Sequence, residues 1–311
     1  MTLTELKYIV ALAREKHFGR AAEACFVSQP TLSVAIRKLE DELGVQLFER
    51  GAAGIQTTSI GDQLIEQAQK VLDEASYLKD LARQGRDPLV GPLRVGVIFT
   101  IGPYVLPWLV PQMIQAHPAM PMLLHENYTV KLLEVLRQGE IDVLMLAEPF
   151  DAQGLMIEPV YDEHFVVAVP RQHPWAKRRR IASSELAQQT MLLLGTGHCF
   201  RDQVIEICPE LSRFSQATSG IQKTFEGSSL ETIRHMVASG LGITVLPQTA
   251  CPRARDDGFL CYLAFESPAP SRRIVLAWRK SFARPAAVAA LKQQLRLLDL
   301  PIQLLEANKT L

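Results

Sequence analysis

Apolar residues recur at helical spacing from the N-terminus to about Gln84, and beyond Leu93 they gather into short runs separated by further helical patterns. In MTLTELKYIVALAREK, Leu3, Leu6, Ile9, Val10 and Ala13 share one face of an amphipathic helix. In FGRAAEACFVSQPTLSVAIRKLEDELGVQLFER, residues 18–50, the spacing predicts two short helices joined by a tight turn. Ser28 is a good N-cap for the second helix, and Pro30 falls in its first turn, where a missing N–H costs little. Leu32, Ile36 and Leu39, with Ala35 beside them, face inward. Gln29, Pro30, Thr31, Ser33, Arg37 and Lys38 remain outside, small and polar at one end and basic at the other.

A helix that reads DNA needs that outer face, with N-terminal residues at base edges and Arg and Lys on phosphate. The pattern therefore predicts a helix-turn-helix; the alternative is an ordinary helical hairpin packed in a core. Candidate DNA contacts are Ser28, Gln29, Pro30, Thr31, Ser33, Arg37, Lys38 and Arg50. Charge adds nothing to this reading. Within 1–58 the cations Lys7, Arg14, Lys16, Arg20, Arg37, Lys38 and Arg50 are matched by Glu5, Glu15, Glu23, Glu40, Asp41, Glu42 and Glu49, so seven minus seven leaves zero. DNA binding must then rest on local placement of charge and on more than one copy of the module.

Gly51 to Thr58 is a small-residue loop that suits a wing. From Ser59 to Gln84 a long helix is expected, with Ile60, Leu64, Ala68, Val71, Ala75, Leu78 and Ala82 close to a heptad seam. That seam favours pairing of two chains over a helix lying on its own domain. Gly85 to Pro92 breaks the helix and reads as a hinge.

From Leu93 onward, strands at LRVGVIF, MLLHE, IDVLML, VVAVP, MLLLG, ITVLP and IVLAW alternate with helices. The helices are PYVLPWLVPQMIQAH, VKLLEVLRQG, SSELAQQ, SSLETIRHMVASG and AAVAALKQQLRLL. Such alternation predicts α/β layers with largely parallel sheets. The length suits two lobes with a ligand cleft between them and crossovers near Tyr161–Glu163 and Phe265–Pro270.

The 311 residues fit two or three domains, and 48% hydrophobic with 21% charged content is ordinary for a globular chain. No apolar run of about 18 residues offers a membrane span. The N-terminal stretch carries Glu5 and Lys7 and lacks a cleavage site, so a signal peptide is not expected and the location is read as cytoplasmic. The five cysteines are an odd set for a reducing compartment, and none has zinc-ligand spacing. No metal and no cofactor is expected.

Together these parts resemble the LysR-type transcriptional regulators, with AAEACFVSQPTLSVAIRKLEDELGVQLFER matching the family's DNA-binding signature. The resemblance implies a winged helix-turn-helix at 1–58, a dimerising linker helix and hinge at 59–90, and a two-lobed α/β effector domain like the periplasmic binding proteins at 91–303. Lobe I would hold about 91–162 and 268–303, and lobe II about 163–267. Within the family the chain looks most like members that sense hydrogen peroxide, through GPLRVGVIFTIGPYVLP, GHCFRDQVIEIC and SSLETIRHMVASGLGITVLP. The last of these is shared widely in the family and adds little.

On residues alone, Cys199 opens a helical pattern that ends at Cys208. Nine residues of helix would hold their Cα atoms roughly 13 Å apart, whereas a disulfide needs about 7 Å or less. A link between them therefore requires the segment to unwind. A helix start favours a thiolate at Cys199, His198 and Arg201 can add donors or positive charge, and Asp202 could orient a peroxide proton. The thiolate would attack the O–O bond to give a sulfenic acid, which Cys208 would resolve. Spacing alone leaves open that both cysteines are simply buried hydrophobes. The resemblance implies a redox switch, with a peroxide pocket completed by Thr100, Thr129, His198, Asp202 and an arginine at Arg272, Arg273 being its adjacent competitor. Cys25, Cys251 and Cys261 read as structural.

The expected protein is thus a peroxide-sensing activator, homodimeric or a homotetrameric dimer of dimers. It would bind double-stranded DNA at inverted repeats, with RNA polymerase a further partner and no membrane. A LysR-type regulator answering to a small metabolite in the cleft is the alternative. A thiol peroxidase or cysteine hydrolase using Cys199 and His198 is disfavoured, because an enzyme has no use for the N-terminal module.

Overall fold

The computed structural model describes residues 1–51, 54–84, 87–209, 224–227, 229–252 and 258–305; the side chains of 50, 51, 54, 73, 76, 77, 79–84 and 224–226 lie outside that description. The chain divides into two compact units, Met1–Gly85 and Arg86–Leu311.

The first unit runs α1 (Leu3–Glu15), α2 (Phe18–Ala24), α3 (Gln29–Leu43), β1 (Phe48–Gly51), β2 (Gly54–Thr57) and α4 (Ser59–Gln84). Each short helix has a side-chain cap, which satisfies N–H groups that a helix start leaves without partners. Thr2 and Glu5 form a capping box on α1, His17 Nδ1 accepts from the N–H groups of Gly19 and Arg20, and Ser28 accepts from the Thr31 N–H. Gly44, at φ 69°, ends α3 in the left-handed conformation that suits glycine. Leu6, Ile9, Leu32, Ile36 and Leu39 lie in the core as their spacing predicts, Leu12 joins them, and Leu3 of the expected α1 face is instead exposed. β1 and β2 pair antiparallel, from Phe48 with Thr57 to Gly51 with Gly54; Ala52 and Ala53 of the expected wing lie outside the described residues.

The expected seam of α4 is divided. Ala68 is buried and Leu64 packs beside it on the core of the same unit, while Val71 and Leu78 are exposed. The Ala82 side chain lies outside the described residues, as do Gly85 and Arg86 of the expected hinge. The rest of that hinge is pinned to the second unit, where Arg284 donates to the carbonyls of Pro88, Gly91 and Pro92.

The second unit begins with β3 (Leu93–Ile98), α5 (Gly102–Ala116), β4 (Met122–Asn127), α6 (Thr129–Arg137) and β5 (Val143–Ala147). β6 (Leu155–Pro170), β7 (Arg180–Ile181), β8 (Met191–Leu194), α7 (Cys199–Ile207) and β9 (Thr224–Gly227) follow. Then come α8 (Leu230–Ala238), β10 (Thr244–Pro247), β11 (Leu260–Phe265), β12 (Ser271–Arg279), α9 (Pro285–Leu297) and β13 (Gln303–Leu304). Two cores form around these elements. One gathers β3, β5, α5, α6, β12 and α9, and the other gathers the second half of β6, β8, α7, α8, β10 and β11.

Two sequence expectations need correction here. The sheets are mixed rather than largely parallel: β3 pairs parallel with β4 and β5, and β8 with β9, but β12 pairs antiparallel with β5 and β6, and β6 with β10 and β11. The crossover expected near Tyr161–Glu163 falls inside β6, a single strand of 16 residues that passes from the first core to the second there. Its alternation is broken where it changes core, so only VVAVP stood out in the sequence. SSELAQQ winds as a 3-10 helix over Ser183–Gln188 rather than an α-helix. By contrast α5 is continuous despite Pro107 and Pro111. Pro103, Pro107 and Pro111 all lie on its exposed side, where water can satisfy the carbonyls that proline leaves unbonded.

Candidate functional site

Two places carry chemistry, one in each unit. In the first unit α3 presents Ser28, Gln29, Pro30, Thr31, Arg37 and Lys38 to solvent, with Ser33 half-buried. The Ser28 hydroxyl is occupied by the cap and by Thr31 Oγ1 at 2.8 Å, so it holds Thr31 in place. Arg37 lines an open groove between α3 and the β1–β2 pair, together with Gln29, Ser33, Phe48 and Ile55. Lys38 instead lies 3.7 Å from Glu5 Oε1 of α1. The backbone of Arg50 pairs with Ile55, and its side chain is outside the description. Glu40, which the sequence reading passed over, accepts from the N–H groups of Leu47 and Phe48 and ties the wing to α3.

In the second unit the site lies at the C-terminal ends of two adjacent parallel strands, where open α/β sheets place ligands. The register sets Ile98 of β3 opposite Asn127 of β4. Thr100 and Thr129 are each two residues further on, and so meet although 29 positions separate them. α6 starts at Thr129 and α7 at Cys199, so two helix N-termini converge on the same point. Thr100, Thr129, His198 and Cys199, with Phe99 and Tyr128, line a cavity of about 10 Å³. That is room for about one molecule of water's size.

Each wall has a local cause. Gly197 sits at φ 97°, a left-handed conformation that favours glycine, with the Tyr128 ring at van der Waals distance from it before α7 begins. The His198 ring packs edge-on against Tyr128, with centroids 4.7 Å apart, and tilts against Phe99. Thr129 Oγ1 is buried without a hydrogen-bond partner among the described residues. Such a group costs folding free energy unless something occupies it.

Arg272, not Arg273, belongs to this site. Arg272 Nη1 donates to Thr100 Oγ1 at 2.8 Å and Nη2 to the Thr100 carbonyl at 2.9 Å, and its side chain is wholly buried against Glu163. Arg273 points outward and pairs with Asp162. Burial pushes the Glu163 carboxyl up from its ordinary range, and Arg272 and Thr249 oppose that shift. Asp202 does not join the group: its side chain is 72% exposed and lies 3.8 Å from Arg201. Although Asp202 is about one turn beyond Cys199 on α7, its side chain faces solvent.

Cys199 and Cys208 are both thiols, and they occupy the two ends of α7. Cys199 is half-buried and packs on the first core of the unit, whereas Cys208 is buried in the second. Phe200 and Val204 anchor the helix in that second core, and Gln203 donates to the Glu148 carbonyl at 2.9 Å. Cys25 packs in the helix-turn-helix core and burial pushes its thiol up. Cys261 lies within β11 opposite Val169, while Cys251 contacts the Pro247 carbonyl. Residues 253–257 of the segment between them are outside the described residues.

Phe99, Tyr128, Gly197, Glu163 and Gln203 were not legible as site residues. Only the adjacency of Phe99 to Thr100, of Tyr128 to Thr129 and of Gly197 to His198 could have drawn attention to any of them.

Comparison with known sequences places residues 3–62 in the bacterial regulatory helix-turn-helix proteins of the lysR family and residues 86–298 in the LysR substrate binding domain. The hydrogen peroxide-inducible genes activator of Pectobacterium carotovorum is 44% identical over 90% of this chain and 90% of its own. A full-length OxyR cysteine-to-aspartate variant from Pseudomonas aeruginosa is 48% identical, with a TM-score of 0.70 over 96% of this chain and 99% of that one. A cysteine-to-serine variant of OxyR from Corynebacterium glutamicum, solved with H2O2 bound, is 36% identical with a TM-score of 0.62 over 95% and 92%.

Proposed function

The chain belongs to the LysR family of bacterial helix-turn-helix regulators, and from that premise we propose that it is a hydrogen-peroxide-sensing transcription regulator switched by a reversible Cys199–Cys208 disulfide. One observation carries the reading. The Cys199 thiol lies in the wall of a cavity of about 10 Å³ whose polar lining is Thr100, Thr129 and His198. So small and hydroxyl-lined a space favours a ligand of a few atoms such as hydrogen peroxide, which needs it to widen slightly beyond one water's room, over a metabolite of ordinary size. The relatives named for peroxide induction and the H2O2-bound neighbour support the same ligand.

In the reaction the Cys199 thiolate forms a bond to one peroxide oxygen, the O–O bond breaks, and the other oxygen leaves and takes up a proton as water. The sulfenic acid then loses its oxygen as a second water when the Cys208 thiol closes the disulfide. The second step cannot occur on an intact α7, since roughly 13 Å of helix separates the Cα atoms. It requires α7 to unwind around residues packed in the second core, Phe200, Val204 and Cys208, and a Phe or Val that leaves that core gives up about 1.5–3 kcal/mol of burial. The oxidised state is therefore a different packing of this segment, which is what a switch needs.

Two copies related by symmetry would place two α3 helices on an inverted repeat, with Arg37 and Lys38 on phosphate and Gln29 and Thr31 at base edges. Exposed Val71 and Leu78 on α4 supply one apolar surface for that assembly, and Trp108, Ile114, Leu123 and Leu124 supply another. The protein works in the cytoplasm as an activator and is not an enzyme: each oxidation is stored as a disulfide rather than turned over. No helix among the described residues is long and apolar enough to cross a membrane.

Intact-mass and peptide mapping before and after one equivalent of peroxide tests the reading. A Cys199–Cys208 peptide is expected, with a changed DNA footprint. Cys199→Ser should abolish both changes, and Cys208→Ser should stop at the sulfenic acid or higher oxides. Cys25→Ser, Cys251→Ser and Cys261→Ser should still switch. A footprint that still responds in Cys199→Ser would return the protein to the metabolite-binding regulators.

A further inference from the structure

A buried ion pair stands directly behind the cavity wall. Arg272 Nη2 lies 3.1 Å from Glu163 Oε1, and neither side chain has exposed surface. The Glu163 carboxylate also accepts from Thr249 Oγ1, at 3.0 and 3.1 Å to its two oxygens. The guanidinium carbon of Arg272 lies 5.1 Å from the centre of the Phe200 ring, the residue after Cys199. A fully buried pair is weak evidence for a stability role, because desolvation offsets most of the attraction. This one forms a chain of hydrogen bonds that begins at Thr249 and ends at Thr100 in the cavity.

The chemistry of the last link has a consequence. A threonine hydroxyl has one proton and can also accept, whereas an arginine only donates. Thr100 Oγ1 must therefore accept from Arg272 Nη1. Its own proton is left to point elsewhere, and the cavity is what Thr100 lines.

We infer that Glu163, which does not line the cavity, is a positioning residue for peroxide reduction: it fixes Arg272, and Arg272 sets Thr100 as a hydrogen-bond donor to the peroxide. The inference rests on the peroxide reading above. As the S–O bond to Cys199 forms and the O–O bond breaks, sulfur is oxidised and peroxide reduced. The departing oxygen carries the electron pair until a proton reaches it and water leaves. A donor already oriented at that oxygen binds the transition state better than the ground state.

The test uses the reduced full-length protein and two reagents, hydrogen peroxide and iodoacetamide. Alkylation needs the Cys199 thiol but no donor at a leaving oxygen. Losing a donor outright commonly costs about 100-fold or more; one step removed, Glu163→Gln is expected to slow peroxide about tenfold and Thr249→Val about threefold. Alkylation of both variants should stay within about twofold of wild type. On a Thr100→Val background Glu163→Gln should add no further loss, since its route to the reaction runs through Thr100. Wild-type peroxide rates in both variants, parallel loss of peroxide and alkylation rates, or a full added loss on Thr100→Val would overturn the assignment. If Glu163→Gln does not fold, Thr249→Val decides on the same criteria. A wild-type Cys199 indifferent to peroxide overturns the peroxide reading and this inference with it; a reactive wild type with unaffected variants overturns this inference alone.

Discussion

Thr129 separates a binding group from a structural one at the level of a single atom. Its hydroxyl is buried at the start of α6 without a partner among the described residues. A structural hydroxyl would be hydrogen-bonded and its loss would destabilise, whereas replacing this one with the isosteric valine relieves a desolvation cost of about 1–3 kcal/mol. We expect Thr129→Val to melt at or slightly above the wild-type temperature and yet to react with peroxide about tenfold more slowly. Differential scanning fluorimetry and stopped-flow kinetics on the same preparation check both halves. A variant that keeps its peroxide rate would remove Thr129 from the pocket.

At the scale of elements, α3 carries two basic residues that look equivalent in sequence and are not. Arg37 lines the groove beside the wing, whereas Lys38 has Glu5 at 3.7 Å, so part of its field is already answered. Arg37→Ala should lower the slope of log affinity against log salt by about one, and Lys38→Ala by less. Fluorescence anisotropy on an operator from 50 to 300 mM salt, roughly the range where counterion release is measured, distinguishes them. Equal slopes for the two variants would mean that Glu5 does not screen Lys38.

The same glutamate makes α1 sensitive to acid. Its hydrogen bond from the Thr2 side chain, more than the nearby charges of Lys38 and the N-terminus, holds its carboxyl below the ordinary 4.5. A pKa lowered by folding contributes stability above the unfolded value and loses it as pH falls through the folded one. The melting-temperature gap between wild type and Glu5→Gln should be open at pH 7 and close progressively below pH 4.5. A gap that is constant between pH 7 and pH 3 would show that the capping box does not persist in solution.

At the scale of the whole molecule the division of the α4 seam makes opposite predictions for neighbouring positions. Ala68 is 4% exposed and Leu78 67% exposed. Ala68→Asp should unfold the N-terminal unit, because it buries a charge without a partner. Leu78→Asp should leave that unit folded but weaken self-association and, with it, binding to a two-half-site operator by about tenfold or more. Sedimentation at micromolar concentration and a paired assay on half-site and full-site DNA read this out. If Leu78→Asp sediments as wild type does, the assembly surface lies elsewhere, and the exposed Leu123 and Leu124 on β4 become the next positions to change.

What the sequence by itself determined was local. Ser28, Pro30 and the Leu32–Ile36–Leu39 stripe define α3 because capping and helical periodicity act within a few residues, and the same locality made α4 and most strands of the second unit readable. Cys199 and Cys208 could be assigned to opposite ends of one helix for the same reason. Tertiary structure alone decided whatever depends on strand order and register. The β3–β4 pairing brings Thr100 to Thr129, and the alternation of side chains along β12 turns Arg272 inward to Thr100 and Glu163 while Arg273 faces water. β6 hid its first half because it passes between two cores and so has no single apolar face for a period of two to report. Asp202, one turn beyond Cys199 in the sequence, faces solvent here for a related reason: the angle at which α7 packs, which no local pattern encodes, sets where that position points.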